Sequence, residues 1–132
     1  FTLGAEPNSL YRDLYRCAEE AFREVLRVVK AGTPARELVD AGNCIARAGF
    51  ATCDDLVHGF VGGYLPPVLG SASRPAGPVP DMALQAGMTI VVQPNVVTPQ
   101  GHAGVQIGEL VLVTDTGHER LHKARMEFFR LD

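Results

Sequence analysis

Between Gly87 and Thr114 two apolar, β-branched runs flank a short turn, and this pairing constrains the fold more than any other part of the chain. The first run, Met88-Thr89-Ile90-Val91-Val92, ends in Gln93-Pro94-Asn95, and the second extends from Gly104 through Gln106, Gly108 and Glu109 to Thr114. Runs of this length, alternating apolar with polar residues, form antiparallel strands with one face buried. Each ends at a polar position beside a proline or glycine, so the strand ends aim side chains into one pocket; the aimed groups are mostly amides and glycine. The pattern predicts antiparallel strands over 89–93, 105–114 and 126–131, linked by turns at Pro99-Gln100-Gly101 and Asp115-Thr116-Gly117.

The first third of the chain has a different period. Leu10, Leu14, Ala18, Phe22, Val25 and Val29 recur at helical spacing behind an Asn8-Ser9 cap, predicting an amphipathic helix from about Leu10 to Ala31. Glu19, Glu20, Arg23, Glu24 and Arg27 form its solvated face. Gly32 is expected to stop this helix, Thr33 to cap a second, and Pro34 to sit in the second helix's first turn. That helix should end before Gly49 and bury Leu38, Ala41, Ile45 and Ala48, with close packing at Gly42. Short strands and glycine turns follow from Leu56 to Gly63, and the proline-rich stretch from Pro66 to Pro80 reads as an ordered, irregular surface loop. Two helices followed by an antiparallel meander make an α+β architecture, with the helices covering one face of the sheet. Phe1-Thr2-Leu3-Gly4 resembles the end of a strand and its turn, so the chain is expected to begin inside a domain.

At 132 residues and 46% hydrophobic, the chain fits one core. A net charge of −3, with lysine and arginine spread rather than clustered, argues against nucleic acid or an anionic membrane as partner. No apolar run approaches the ~20 residues of a bilayer span and no leader pattern is present, which gives an expectation of a cytoplasmic protein. Cys17, Cys44 and Cys53 are odd in number and lack CxxC spacing, as expected of reduced, mostly buried thiols.

Several polar residues stand out. His58 precedes Gly59, Gly62 and Gly63, where backbone can approach a ligand, and suits a general acid or base or a donor to a substrate carbonyl. The alternative is a core histidine satisfied by local hydrogen bonds. Gln93 and Gln106 are amides on otherwise apolar strands, able to bind a carboxylate, amide or guanidinium, or simply to face solvent. His102 is flanked by glycine and could enter the pocket or stay in an exposed turn, and Tyr64 beside Pro66-Pro67 reads as a pocket wall or a subunit contact. Asp54, Asp55 and His58 could form a small metal set, and Cys53 with His58 a nucleophile pair, though both need a geometry that strand-forming Leu56-Val57 disfavours. His118 and His122 read as surface residues near a turn.

The order of the segments Phe1-Thr2-Leu3-Gly4, Ala31-Gly32-Thr33-Pro34-Ala35, Ala48-Gly49-Phe50, His58-Gly59-Phe60, Leu84-Gln85-Ala86-Gly87-Met88, Gln93-Pro94 and Gly104-Val105-Gln106-Ile107 resembles the C-terminal half of the creatinase, prolidase and methionine aminopeptidase superfamily, the M24-like peptidases. The resemblance covers nearly the whole chain. It implies a pita-bread fold, here incomplete, with residues 1–132 forming the C-terminal part of a catalytic-type domain. It also implies two divalent metals, such as manganese, cobalt or zinc, held by two aspartates, a histidine and two glutamates. His58 matches the ligand histidine, and the two aspartates would lie upstream of Phe1. Gln93 stands where the family has one glutamate, Gly108 where it has another, and Leu65 and Pro66 where it has a further histidine and an acidic neighbour.

A glutamine amide is neutral and binds cations weakly, so the expectation is a site without the dinuclear centre and without a cofactor. His58 and Glu109 would be ligands only if a metal were present, and Glu109 only if a bulge shifted the strand register. What the resemblance then implies is a C–N bond hydrolase of the Xaa-Pro dipeptidase or creatinase type acting on a small amide, dipeptide or amidine-like substrate. His58 would be catalytic, and Gln93, Gln106, His102 and Tyr64 would contact substrate. The alternative is a catalytically silent pita-bread module retained for ligand binding or dimerisation. A sheet edge or face left open by a half domain also predicts a homodimer.

Overall fold

Asn8 starts the first long element by accepting a 3.0 Å hydrogen bond from the Tyr11 N–H. The computed structural model describes residues 2–131. A short strand β1 (Thr2–Leu3) precedes helix α1 (Ser9–Val28). Leu14, Cys17, Ala18, Ala21, Phe22, Val25 and Leu26 form the buried side of α1, as their three- and four-residue spacing requires. Leu10, expected on that side, is exposed at the first turn.

Helix α1 ends three residues short of the predicted Ala31, because the next residues bond to the sheet layer instead. The Ala31 N–H donates to Thr114 O and the Gly32 N–H to Leu84 O, with Gly32 at φ +85° in the turn. Thr33 does not cap the second helix; its hydroxyl donates to Val28 O at 2.6 Å and closes the end of the first. Pro34 lies just outside α2 (Ala35–Gly42), in extended conformation, rather than in its first turn. A break at Asn43 separates α2 from α3 (Cys44–Arg47), so Ile45 stays buried while Ala48, expected in the core, is exposed. The predicted tight packing at Gly42 is present: a methyl added there would stand 2.2 Å from Leu56 Cδ2.

The remaining strands are β2 (Ala51–Thr52), β3 (Val57–Phe60), β4 (Tyr64–Leu69), β5 (Thr89–Val92), β6 (Asn95–Val97), β7 (Gly104–Gln106), β8 (Glu109–Val113), β9 (His118–Arg120) and β10 (Arg130–Leu131). One antiparallel sheet has the order β4-β3-β5-β8-β9, a second the order β2-β6-β7, and β1 pairs parallel with β10. Two predictions are corrected here. Pro66 and Pro67 lie in β4, an edge strand where missing N–H groups are tolerated, and only the later part of the proline-rich stretch is irregular. The segment 126–131 is strand only at its last two described positions, and it pairs parallel. His118 opens the edge strand β9 directly after the turn expected at 115–117.

The predicted hairpin over 89–114 forms, but both strands break. Gln93-Pro94 separates β5 from β6, and Ile107-Gly108 separates β7 from β8, so one hairpin serves two sheets. Pro94 has no N–H to continue the ladder. Ile90, Val92, Val111 and Val113 bury their side chains together with those of α1, α2 and α3, which cover one face of the sheet layer. The architecture is α+β. No helix among the described residues is long and apolar enough to cross a membrane. All three cysteines are free, Cys17 and Cys44 buried and Cys53 exposed.

Candidate active site

The double break between the sheets is where the polar side chains converge. Val92 pairs with Glu109 at the end of one sheet and Asn95 with Gln106 at the start of the other, leaving Gln93 and Gly108 opposed across the gap. A Cβ on Gly108 would lie 2.9 Å from Gln93 Cβ and 3.0 Å from Val92 O, so a side chain at 108 would collide with Gln93. Position 108 therefore faces Gln93. Glu109, one place on, shares the buried side of β8 with Val111 and Val113. No bulge returns it to the Gln93 side, and both its oxygens accept from the Arg120 guanidinium on β9.

Gln93 belongs to a hydrogen-bonded chain. Its Nε2 donates to both oxygens of Asp55, at 3.3 and 3.2 Å, and its Oε1 accepts from Gln106 Nε2 at 3.3 Å. A carboxylate beside the amide can only accept, which fixes which way the Gln93 amide points. The Tyr64 hydroxyl also donates to Asp55, which is 4% exposed. Burial first, then the bond to Asp55, pushes the Tyr64 hydroxyl up to about 12, so it remains a protonated donor at neutral pH.

His58 sits mid-strand in β3, between Val68 and Val91, and is only 5% exposed. Its Nδ1 lies 3.0 Å from Gly59 O, and since a carbonyl accepts, the proton of the neutral ring is on Nδ1. That arrangement leaves Nε2 as the acceptor. The Tyr64 ring stacks on the imidazole with centroids 3.9 Å apart and planes 14° apart, and Phe60 meets it edge-on at 6.3 Å. Next to this cluster, Phe60, Val91, Gln93, Gln106, Leu110 and His122 help to line a cavity of about 450 Å³.

Four of the residues singled out in the sequence, His58, Tyr64, Gln93 and Gln106, are thus linked directly or through Asp55. His102 is not. It lies in an exposed turn held by its N–H to Thr98 Oγ1, apart from the chain of hydrogen bonds around Gln93. His122 is exposed, as expected, and also borders the cavity. Cys53 is exposed and makes no hydrogen bond to the imidazole. Among the described residues no group of three or more His, Cys, Asp or Glu is placed to hold a metal, so Asp54, Asp55 and His58 do not form the small metal set considered from sequence. Sequence reasoning missed Arg120, and it considered Asp55 as a metal ligand rather than as the acceptor from Tyr64 and Gln93. The signal for Asp55 was an acid directly preceding a buried strand.

The model of metallopeptidase family M24 matches residues 1–115. The chain belongs to this family. An uncharacterized peptidase of Staphylococcus aureus is 29% identical over 124 residues, covering 88% of this chain and 32% of that protein. Among solved structures, the dipeptidase PepE of Mycobacterium ulcerans superposes with a TM-score of 0.77 at 21% identity, over 96% of this chain and 33% of that one. A prolidase from Pyrococcus furiosus gives 0.71 at 26% identity, over 92% and 35%. The fold is the pita-bread fold, and the chain spans about a third of the length of these relatives.

Membership of a metallopeptidase family raises the question of metal. The donors in this chain do not fit a pair of divalent cations. Gln93 is a neutral amide engaged at both ends, position 108 has neither a side chain nor room for one, and Glu109 is neutralised by Arg120.

Proposed function

We propose that the protein is a C–N bond hydrolase of the Xaa-Pro dipeptidase or creatinase type, acting on a small amide, dipeptide or amidine-like substrate without the dinuclear centre of its family. The observation that carries this reading is buried His58, its ring orientation set by Nδ1 against Gly59 O and its Nε2 left to take or give a proton, beside the Gln93 amide. His58 acts as general acid or base, and Gln93 and Gln106 hydrogen-bond the substrate at the cavity wall. The group that partners His58 lies elsewhere in the protein, and residues 1–132 form the C-terminal part of the catalytic-type domain. The protein works in the cytoplasm as a homodimer, and it is the dimer that the exposed Val61, Leu65, Leu121, Phe129 and Leu131 support.

Protein purified without chelator and assayed on Xaa-Pro dipeptides, small amides and amidines should turn over one of these classes with or without EDTA, and His58→Asn should abolish it. Stoichiometric binding of two manganese, cobalt or zinc ions would overturn the metal-free reading. A second reading is a silent module, favoured by one specific observation: the polar groups at the break satisfy each other, Asp55 with Tyr64 and Gln93, Glu109 with Arg120. Absence of turnover on every class, together with light scattering that gives a dimer, would favour it.

A further inference from the structure

We infer that Tyr64, latched by Asp55, is a positioning residue for His58: its ring sets the imidazole plane and covers it, and its hydroxyl ties that cover to the Gln93–Gln106 chain. Three independent features support the assignment. The first is the stack itself, near-parallel at 3.9 Å, tighter than the edge contact to Phe60. The second is exposure: Tyr64 is 57% exposed while the imidazole beneath it is 5% exposed, so the tyrosine is the outer layer over a ring that a ligand would have to reach. The third is the shared carboxylate. Asp55 accepts from both Tyr64 and Gln93, so one buried group fixes the cover over His58 and the amide orientation at the cavity wall.

The local chain is suited to this. Gly62, at φ +69°, and Gly63 form the turn that brings Tyr64 back to pair with Phe60, two residues beyond His58, and the register shifts between His58 and Gly59. The shift allows β4 to place an aromatic ring over the imidazole rather than beside it. A Cβ at Gly59 would stand 2.4 Å from Pro66 O, so only glycine permits β4 to come this close.

The test is residue-resolved acylation of the intact protein by diethylpyrocarbonate at fixed pH, read by mass spectrometry, with the exposed His102 as internal reference. In the parent protein His58 should react slowly relative to His102. Tyr64→Leu should accelerate His58 about two- to tenfold, the range expected for losing an aromatic pair, while His102 stays unchanged. Tyr64→Phe keeps the ring but loses the latch, so it should give a smaller rise, matched by Asp55→Ala, which removes the acceptor. The ring-current shift on the His58 Cε1 proton should persist in Tyr64→Phe and fall in Tyr64→Leu to the part that Phe60 supplies, which shows whether the stack itself has been removed. An unchanged His58 rate in Tyr64→Leu overturns the assignment. If that variant fails to fold, an unchanged rate in both Tyr64→Phe and Asp55→Ala overturns it equally. None of these readouts depends on turnover, so failure here is distinguishable from failure of the hydrolase reading.

Discussion

The two sides of the strand break carry opposite electrostatic solutions within two residues of each other. On one side Gln93 faces Gly108 and is bound to Asp55 and Gln106, so its own group is neutral. On the other, Glu109 keeps its charge but is buried against Arg120. Strand alternation makes this possible, because adjacent residues on β8 serve different faces. What differs is the neighbour each face supplies: a carboxylate for Gln93, a guanidinium for Glu109. A carboxylate in place of Gln93 would meet Asp55 as a like charge, whereas the carboxylate of Glu109 meets its counter-ion.

The most damaging way to disturb this contrast is to remove the counter-ion. Arg120→Met leaves a buried carboxylate uncompensated and should cost about 2–4 kcal/mol in urea unfolding, at the low end for a broken buried pair because the guanidinium is partly exposed. Glu109→Gln together with Arg120→Met should recover much of that loss. A destabilisation below about 0.5 kcal/mol in the single variant would place the pair among weak surface ion pairs.

Putting the family's carboxylate back is next. Gln93→Glu brings a second anion to within hydrogen-bond distance of Asp55 and should cost about 1–3 kcal/mol at neutral pH. The loss should shrink on acidification, and Asp55→Asn in the same chain should relieve it. If Gln93→Glu is neutral and instead raises manganese affinity, the amide was not fixed by its neighbour and the contrast between the two sides disappears.

The smallest effect is alkaline. Burial pushes the Cys17 thiol up to about 11 from 9.0, and burial with the Asp55 bond pushes Tyr64 up to about 12 from 10.0. Both folded values are raised, so the uncharged forms contribute stability that is complete below the ordinary values and is lost as pH rises through the folded ones. The urea midpoint should therefore fall progressively above pH 9, and Tyr64→Phe should remove only the upper part of that fall.

The elements that could be read from the chain were those with a strong local period. Helix α1 followed from its apolar spacing and Asn8, and the strand pair at 89–114 from its β-branched runs. Alternation also anticipated that Glu109 turns away from position 108. What local reasoning missed was set across strands. The C-terminal end of α1 depends on bonds from Ala31 to Thr114 and from Gly32 to Leu84, more than fifty residues away in the chain. Asp55 and Arg120 acquire their partners through register, Arg120 by lying opposite Val111 and Asp55 by reaching Gln93. His102 had the flanking glycines of a site residue, but it lies in an exposed turn bonded to Thr98.

The prolines in β4 have a further effect on how molecules of this protein can meet. A free outer strand ordinarily offers a row of amide protons to any other extended chain, and such rims are where soluble proteins begin to polymerise. Here two consecutive positions, Pro66 and Pro67, have no proton to offer. Those two positions cannot extend a backbone ladder along that rim of the sheet.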